Sequence, residues 1–282
     1  MHKAGFVNII GSPNVGKSTL MNELVGERLS IITSKAQTTR HRILGIVNEE
    51  DYQVVFSDTP GVVNSAYKLH DTMMSYVKSA LRDADVLLFI TDIFEDEMNH
   101  KETLESISKT DTPVLLLINK VDLGDDARIE ERVAYWHEKV PRAQIIPISA
   151  LHNFNIEFIW QKIVELIPEG PAYYDKDSLT DRPVRFFVSE IIREAIFENL
   201  KKEIPYSTQV EIESFEEGEK LTRIRALIIV ERDTQKGIII GHKGEMLKRI
   251  GMQARKGIEK FIDSKVFLET YVKVDKNWRS SD

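Results

Sequence analysis

The chain has 282 residues, with 38 Lys+Arg against 45 Asp+Glu, a formal net charge of −7 and no cysteine. At roughly 100–200 residues per domain, this length predicts two domains, each able to bury its own core. The lack of Cys excludes disulfides, thiolate metal sites and cysteine nucleophiles, and the acidic balance, taken alone, argues against nucleic acid as a partner.

No stretch approaches the roughly 18 apolar residues of a membrane span. The five-residue apolar runs Val86–Ile90 and Val114–Ile118 suit buried strands. Phe6–Ile10 is interrupted by Asn8 and followed by Gly11, which is not the shape of a signal peptide. A cytoplasmic location is expected.

In chain order, strands are predicted at Gly5–Ile10, Ile43–Asn48, Gln53–Asp58, Val86–Thr91, Pro113–Asn119 and Gln144–Ser149. Helical patterns fall at Thr19–Val25, His70–Arg82, Lys101–Ser108, Ile129–Lys139 and Ile156–Leu166. This alternation predicts an α/β domain, a mostly parallel sheet with helices on both faces. The close pair Ile43–Asn48 and Gln53–Asp58 predicts one antiparallel edge. Pro168, Gly170, Pro171 and Pro183, among Asp175, Lys176, Asp177, Ser178 and Asp181, are linker chemistry. The expected division is a first domain over 1–168, a linker over 169–183 and a second domain over 184–282.

The second domain reads differently. Ile191, Ile192, Ala195, Ile196 and Leu200 follow helical spacing. Val210 and Ile212 alternate with polar residues, and Ile224, Ala226, Ile228 and Val230 share one face of the next strand. A helical stretch leads to Gly241–Gly244, then a long helix, Glu245–Ile262, and a strand, Val266–Val274. The order α-β-β-α-α-β predicts a smaller α+β domain.

The first strand runs into Gly11-Ser12-Pro13-Asn14-Val15-Gly16-Lys17-Ser18-Thr19, which matches G-x-x-x-x-G-K-[ST] between a strand and a helix. Its backbone N–H groups and the helix N-terminus attract phosphate. Lys17 is expected at the β- and γ-phosphates and the Ser18 hydroxyl on Mg²⁺. Asn119-Lys120-Val121-Asp122 ends a buried-type strand. The Asp122 carboxylate can accept from guanine N1–H and N2–H₂ together, whereas adenine offers neither donor. Asn119 can bridge to the loop or to N7, and the Lys120 stem can cover a base face. Ser149-Ala150-Leu151 follows the sixth strand, where the Ala150 N–H can meet guanine O6. Asp58-Thr59-Pro60-Gly61 ends the third strand, placing Asp58 for a water-mediated Mg²⁺ contact and the Gly61 N–H for the γ-phosphate. Thr38 or Thr39, in the polar loop Thr33–Arg42, is expected to bind Mg²⁺ only with the γ-phosphate present.

These motifs in this order resemble the translation-factor-like class of P-loop GTPases. Within it, G-x-P-N-x-G-K-S and Gln37-Thr38-Thr39-Arg40-His41 resemble the Era family. Many GTPases carry a water-orienting glutamine after the D-x-x-G glycine; here Val62 and then Val63 follow. Hydrolysis then rests on Mg²⁺, Lys17, Thr39, backbone donors such as Gly61 and an outside contribution, and slow intrinsic turnover is expected. The resemblance implies a K⁺ ion at Asn14 that stands in for an arginine finger. Arg40 or Arg42 acting in cis is the alternative, set against a solvated loop arginine.

Gly237-Ile238-Ile239-Ile240-Gly241-His242-Lys243-Gly244, with the helix that follows, resembles the GXXG loop of type 2 KH domains, which clamp single-stranded nucleic acid. Ile238–Ile240, Ile239 among them, are read as an apolar platform for bases. Charge agrees with this. Pro183–Asp282 contains 19 Lys+Arg and 17 Asp+Glu, leaving 19 and 28 for residues 1–182. Lys236, Lys243, Lys248, Arg249, Arg255 and Lys256 flank the loop and the long helix, the expected phosphate face. Lys273, Lys276 and Arg279 extend it, with Trp278 either stacking on a base or capping the core.

The full-length resemblance implies GTP and GDP as ligands and binding near the 3′ end of 16S ribosomal RNA. It further implies a role in maturation of the small (30S) ribosomal subunit, as a monomer, with loose peripheral association with the bacterial inner membrane. The alternatives are a related GTPase with another rRNA target, a P-loop kinase, and an RNA-binding protein with a degenerate nucleotide site. Asp122 argues against the kinase, and the intact phosphate and Mg²⁺ groups argue against the last.

Overall fold

The computed structural model describes residues 1–33, 35, 38–62, 68–97, 100–276 and 278. Strands β4 (Val86–Asp92) and β5 (Val114–Asn119) are buried along their whole length. Such continuous apolar strands need cover on both faces, and they are neighbouring interior strands of a six-stranded sheet. In chain order the others are β1 (Lys3–Gly11), β2 (Ile43–Asn48), β3 (Tyr52–Asp58) and β6 (Gln144–Pro147). The sheet order is β2-β3-β1-β4-β5-β6. All neighbours are parallel except β2 and β3, the antiparallel edge that the short spacing predicts.

Helices α1 (Lys17–Val25), α2 (Lys68–Arg82), α3 (Lys101–Lys109) and α4 (Asp126–Lys139) connect strands, and α5 (Ile156–Leu166) follows β6. Met74 and Val77 of α2, Ile107 of α3 and Trp136 of α4 bury against Leu87, Phe89, Leu116 and Ile118. Side chains alternate along a strand, so this set marks one sheet face. Trp160 of α5 lies 5.5 Å from Phe56 of β3. Helix α4 starts earlier than its apolar period, because Asp125 caps it by accepting from the Arg128 N–H at 2.9 Å.

The chain divides into two units, Met1–Asp181 and Arg182–Asp282. The segment read as a linker is largely bound to the first unit. The Ala4 N–H donates to Pro168 O, Gly170 N–H to His2 O and Ile46 N–H to Leu179 O. The buried Gln53 amide accepts from the N–H groups of Tyr173 and Tyr174 and donates to Tyr174 O. Thr180 Oγ1 donates to Leu44 O at 2.7 Å. Its Pro-rich composition breaks helices but leaves carbonyl acceptors free, and an extended strap satisfies them on the sheet edge. The residues that link the units are therefore few, near Asp181–Pro183.

The second unit packs α6 (Val184–Asn199), α7 (Asp233–Ile240) and α8 (Glu245–Ile262) on a sheet of order β7-β8-β9. Its strands are β7 (Thr208–Glu216), β8 (Thr222–Val230) and β9 (Val266–Val274). β7 and β8 are antiparallel, β8 and β9 parallel. Ile192 and Ile196 of α6, Ile239 of α7 and Ile250, Ala254 and Ile258 of α8 share one core with Ile224, Ala226 and Ile228. The element order is the predicted one.

Candidate functional site

Strand β1 delivers Gly11 to the C-terminal end of the parallel strands, where a Cβ would lie 2.0 Å from Ile90 O. The loop turns with Asn14 at φ 64° and Gly16 at φ 106°. Lys17 is buried and folds back, donating to Gly11 O at 3.1 Å and Ser12 O at 2.6 Å. Burial lowers its amine to about 8, against the pull of Asp58 and Glu95. Phosphate oxygens arriving beside it favour the ammonium again. Ser12 Oγ donates to Glu95, whose other oxygen accepts from Thr91 at 2.7 Å.

Ser18 Oγ lies 2.8 Å from Asp58 Oδ2 and 3.1 Å from Thr39 Oγ1. Asp58 is fully buried, and burial raises its carboxyl against the opposing pull of Lys17 and the hydroxyls of Ser18, Ser30 and Thr39. Its Oδ1 is buried and makes no hydrogen bond. Two hydroxyls beside a carboxylate with an oxygen to spare are a hard donor set that fits Mg²⁺. The structure brings Thr39 to this cluster, not Thr38, whose Oγ1 is 2.6 Å from Thr33 Oγ1 and donates to Lys35 O.

At the other end of the cleft, Asn119 ties three loops. Its Nδ2 donates to Val15 O at 2.7 Å and its Oδ1 accepts from the Ala150 N–H at 2.9 Å. Lys120, at φ 63°, donates to Asn14 O at 2.7 Å and to Asp92 Oδ2 at 2.6 Å. Asp122 Oδ1 accepts from Ser149 Oγ at 2.5 Å, and His152 Nε2 is 3.6 Å from Asp122 Oδ2. These groups bound a cavity of about 290 Å³. Pro13, Asn14, Gly16, Lys17, Ser18, Thr19, Thr39, Gly61, Asn119, Lys120, Asp122, Ser149 and Leu151 line it.

Thr59 is buried and donates to Ile9 O at 2.7 Å, so it braces the sheet rather than the cleft. The Ala150 N–H is engaged by Asn119, as above. Arg42 is not a solvated arginine: its guanidinium pairs with Asp83 at 2.5 Å and is 14% exposed. Arg40 is buried as well. Ile31, Ile32 and Leu123 line the cavity and carried no motif; Asp92 and Glu95 support its walls from a turn no pattern singled out. Gln37, Val63 and Arg279 lie outside the described residues, as do parts of the loops Thr33–Arg42 and Asp58–Lys68.

In the second unit, α7 ends at Gly241 (φ 71°), whose N–H donates to Gly237 O, and α8 starts after Gly244 (φ 80°). A Cβ at Gly241 would lie 2.6 Å from Met246 Cβ, and at Gly244 it would meet nothing. His242, Lys243, Lys248, Arg249, Arg255 and Lys256 are exposed. Lys248 and Arg255, seven residues apart, share one face of α8, and Arg249 and Lys256 share the next. Ile239 is corrected: it is 0% exposed and belongs to the core, because a two-turn helix must bury one apolar face. Ile238, 49% exposed, is the free apolar surface. Trp278 is buried and offers no free stacking face.

A profile of 50S ribosome-binding GTPases matches residues 6–120, and a KH-domain profile matches residues 203–279. The chain is 47% identical over 278 residues to the GTPase Era of Geotalea uraniireducens, covering 98% of this chain and 94% of that one. It is 45% identical over 284 residues to the GTPase Era of Clostridium kluyveri, covering 100% and 97%. A crystal structure of an Era in complex with MgGDPNP and nucleotides 1506–1542 of 16S ribosomal RNA matches with a TM-score of 0.93 and 38% identity, covering 99% of this chain and 96% of that one. An Aquifex aeolicus Era variant bound to GDP·AlF₄⁻ matches with the same TM-score and identity, covering 98% and 95%. A phosphate loop, a guanine-type base loop and a KH unit, matched end to end by these relatives, establish that the chain belongs to the Era family of GTPases.

Proposed function

We propose that the first unit binds and hydrolyses GTP and that this cycle gates binding of the 3′ end of 16S ribosomal RNA by the second unit, in maturation of the small ribosomal subunit. The observation that carries this reading is the full-length likeness to an Era holding MgGDPNP and nucleotides 1506–1542 of 16S ribosomal RNA. Attachment to the membrane enters only as a peripheral contact: among the described residues no helix is long and apolar enough to cross a bilayer.

In this reading the loop Gly11–Thr19 wraps the phosphates, with Lys17 reaching from its two carbonyls to the β- and γ-oxygens. Ser18, Thr39 and, through water, Asp58 hold Mg²⁺, which supplies neutralisation of the triphosphate charge. The Gly61 N–H faces the γ-phosphate. Its lack of a side chain matters, since a Cβ there would lie 2.8 Å from Pro13 Cα. Asp122 reads guanine N1–H and N2–H₂, the Lys120 stem and Leu151 cover the base, and Ser149 holds the Asp122 carboxylate in place. Val62 is 6% exposed and its side chain has no polar atom to orient water, so intrinsic turnover is slow.

Asn14 lines the cleft from within the phosphate loop, where a K⁺ ion would place positive charge on the transferring phosphoryl group. The expected result is turnover at least about tenfold faster in KCl than in NaCl, with or without RNA. Equal rates in the two salts remove K⁺ from the mechanism.

On the second unit, Gly241, His242, Lys243 and Gly244 clamp the RNA backbone, and Lys248, Arg249, Arg255 and Lys256 contact phosphates. Footprinting on ribosomal RNA tests the gate. Protection of the 16S 3′ end is expected with a GTP analogue and not with GDP. Equal protection in both states sinks the gating, and protection confined to large-subunit RNA sinks the target. As a control, Gly241→Asp sets a charge against phosphate at a positive-φ position, and RNA affinity should fall about tenfold or more with GTP turnover unchanged.

A further inference from the structure

Arg42 sits where the loop carrying Thr39 re-enters the sheet, one residue before Ile43, which pairs with Asp58 in the β2–β3 ladder. Its guanidinium is held from several elements at once. Nε donates to Ser57 Oγ of β3 at 2.7 Å. Nη2 donates to Asn8 Oδ1 of β1 at 3.1 Å and to Asp83 Oδ1 at 3.0 Å. Nη1 donates to Asp83 Oδ2 at 2.5 Å and to Ser79 Oγ of α2 at 3.3 Å. Asn8 is itself fixed, donating to Ala80 O at 2.7 Å and Asp83 Oδ1 at 2.6 Å.

A forked, bidentate Arg–carboxylate pair of this kind is geometrically specific, and a lysine cannot reproduce it. Asp83 follows Arg82, the last residue of α2. The exit of the loop carrying Thr39 and the C-terminal end of α2 are therefore pinned to one side chain. The ring of His41 lies 6.4 Å from that of Tyr76 on α2, a second contact between the same two segments.

We propose that Arg42 is a positioning residue for GTP hydrolysis: its clamp on Asn8, Ser57 and Asp83 is the fixed pivot about which Thr39 swings onto the cation. The proposal rests on the reading of Thr39 as the hydroxyl that closes the cation site when the γ-phosphate is present. Thr39 is at most roughly 10 Å of extended chain from the pivot, so the anchor confines its search. GDP, without a γ-phosphate, does not use this contact.

The test compares Arg42→Ala, Arg42→Lys, Asp83→Asn and Thr39→Ala in the full chain. It measures GTP turnover, Mg²⁺-dependent affinity for a GTP analogue and for GDP, and the melting midpoint. Arg42→Ala should lower kcat and GTP-analogue affinity about tenfold each, with GDP affinity unchanged. Arg42→Lys should rescue little. The double variant Arg42→Ala/Asp83→Asn should be no worse than Arg42→Ala, since both break one clamp. A lower melting midpoint with unchanged kcat and unchanged GTP-over-GDP preference overturns the proposal. Should Arg42→Ala not fold, Asp83→Asn decides by the same selective loss or its absence. A damaged Thr39→Ala beside an undamaged Arg42→Ala removes the pivot alone. An undamaged Thr39→Ala removes the Thr39 reading and the pivot with it.

Discussion

Gly16→Ala is expected to abolish nucleotide binding while the second unit keeps its fold. Gly16 sits at φ 106°, a conformation that costs an L-residue roughly 1–2 kcal/mol. Strain is the smaller part. A Cβ at Gly16 would lie 2.2 Å from Asn119 Nδ2, the atom that donates to Val15 O. Moving Asn119 breaks that bond and the one it accepts from the Ala150 N–H, each buried and worth roughly 1–3 kcal/mol when left unmade. The phosphate loop then parts from both base loops, and GTP and GDP affinity should fall by more than about a hundredfold. Titration calorimetry measures this directly. Gly26→Ala is the control, because Gly26 also has positive φ, 77°, but a Cβ there meets nothing within 4 Å. Should Gly16→Ala bind within a few-fold of the parent chain, Asn119 is not the staple between the loops.

Asp122→Asn should exchange guanine for xanthine. The carboxylate presents acceptors to both guanine donors, and Ser149 Oγ holds it at 2.5 Å. An amide turned toward the base offers one acceptor and one donor, and the donor faces guanine N2–H₂. A mismatched donor in a closed site costs far more than a lost contact, and GDP affinity should drop about a hundredfold or more. Xanthine has a carbonyl at that position, which the amide can donate to. Competition between GDP and XDP reads the exchange. Unchanged preference for GDP would mean that the base is recognised by other groups in the cleft.

The phosphate and base loops were legible because their chemistry is local. Gly11, Gly16, Lys17 and Ser18 act within one turn, and Asn119 and Asp122 within another. Strand order was partly legible for the same reason, since β2 and β3 are too close in sequence for a crossover. What was not legible depends on long-range pairing. Nothing near Arg42 announces Asp83, and nothing near Lys120 announces Asp92; the sheet brings each pair together. Ile239 was misread because a run of three isoleucines has no period, and only the packing of α7 decides which one faces inward. The Pro-rich segment was read by composition as a linker, but its partners lie in Gln53, Leu44 and Ile46, far upstream.

That strap has a further consequence, for solubility. Strand β2 is the outer strand of a six-stranded sheet, and a bare outer strand templates pairing with other chains. Leu179 O takes the Ile46 N–H, Ser178 O takes the Asn48 amide and Thr180 reaches Leu44 O. The last residues of the first unit thus shield the GTPase sheet from edge-to-edge aggregation. A first unit cut at Ile167 loses that shield, and one cut after Asp181 keeps it.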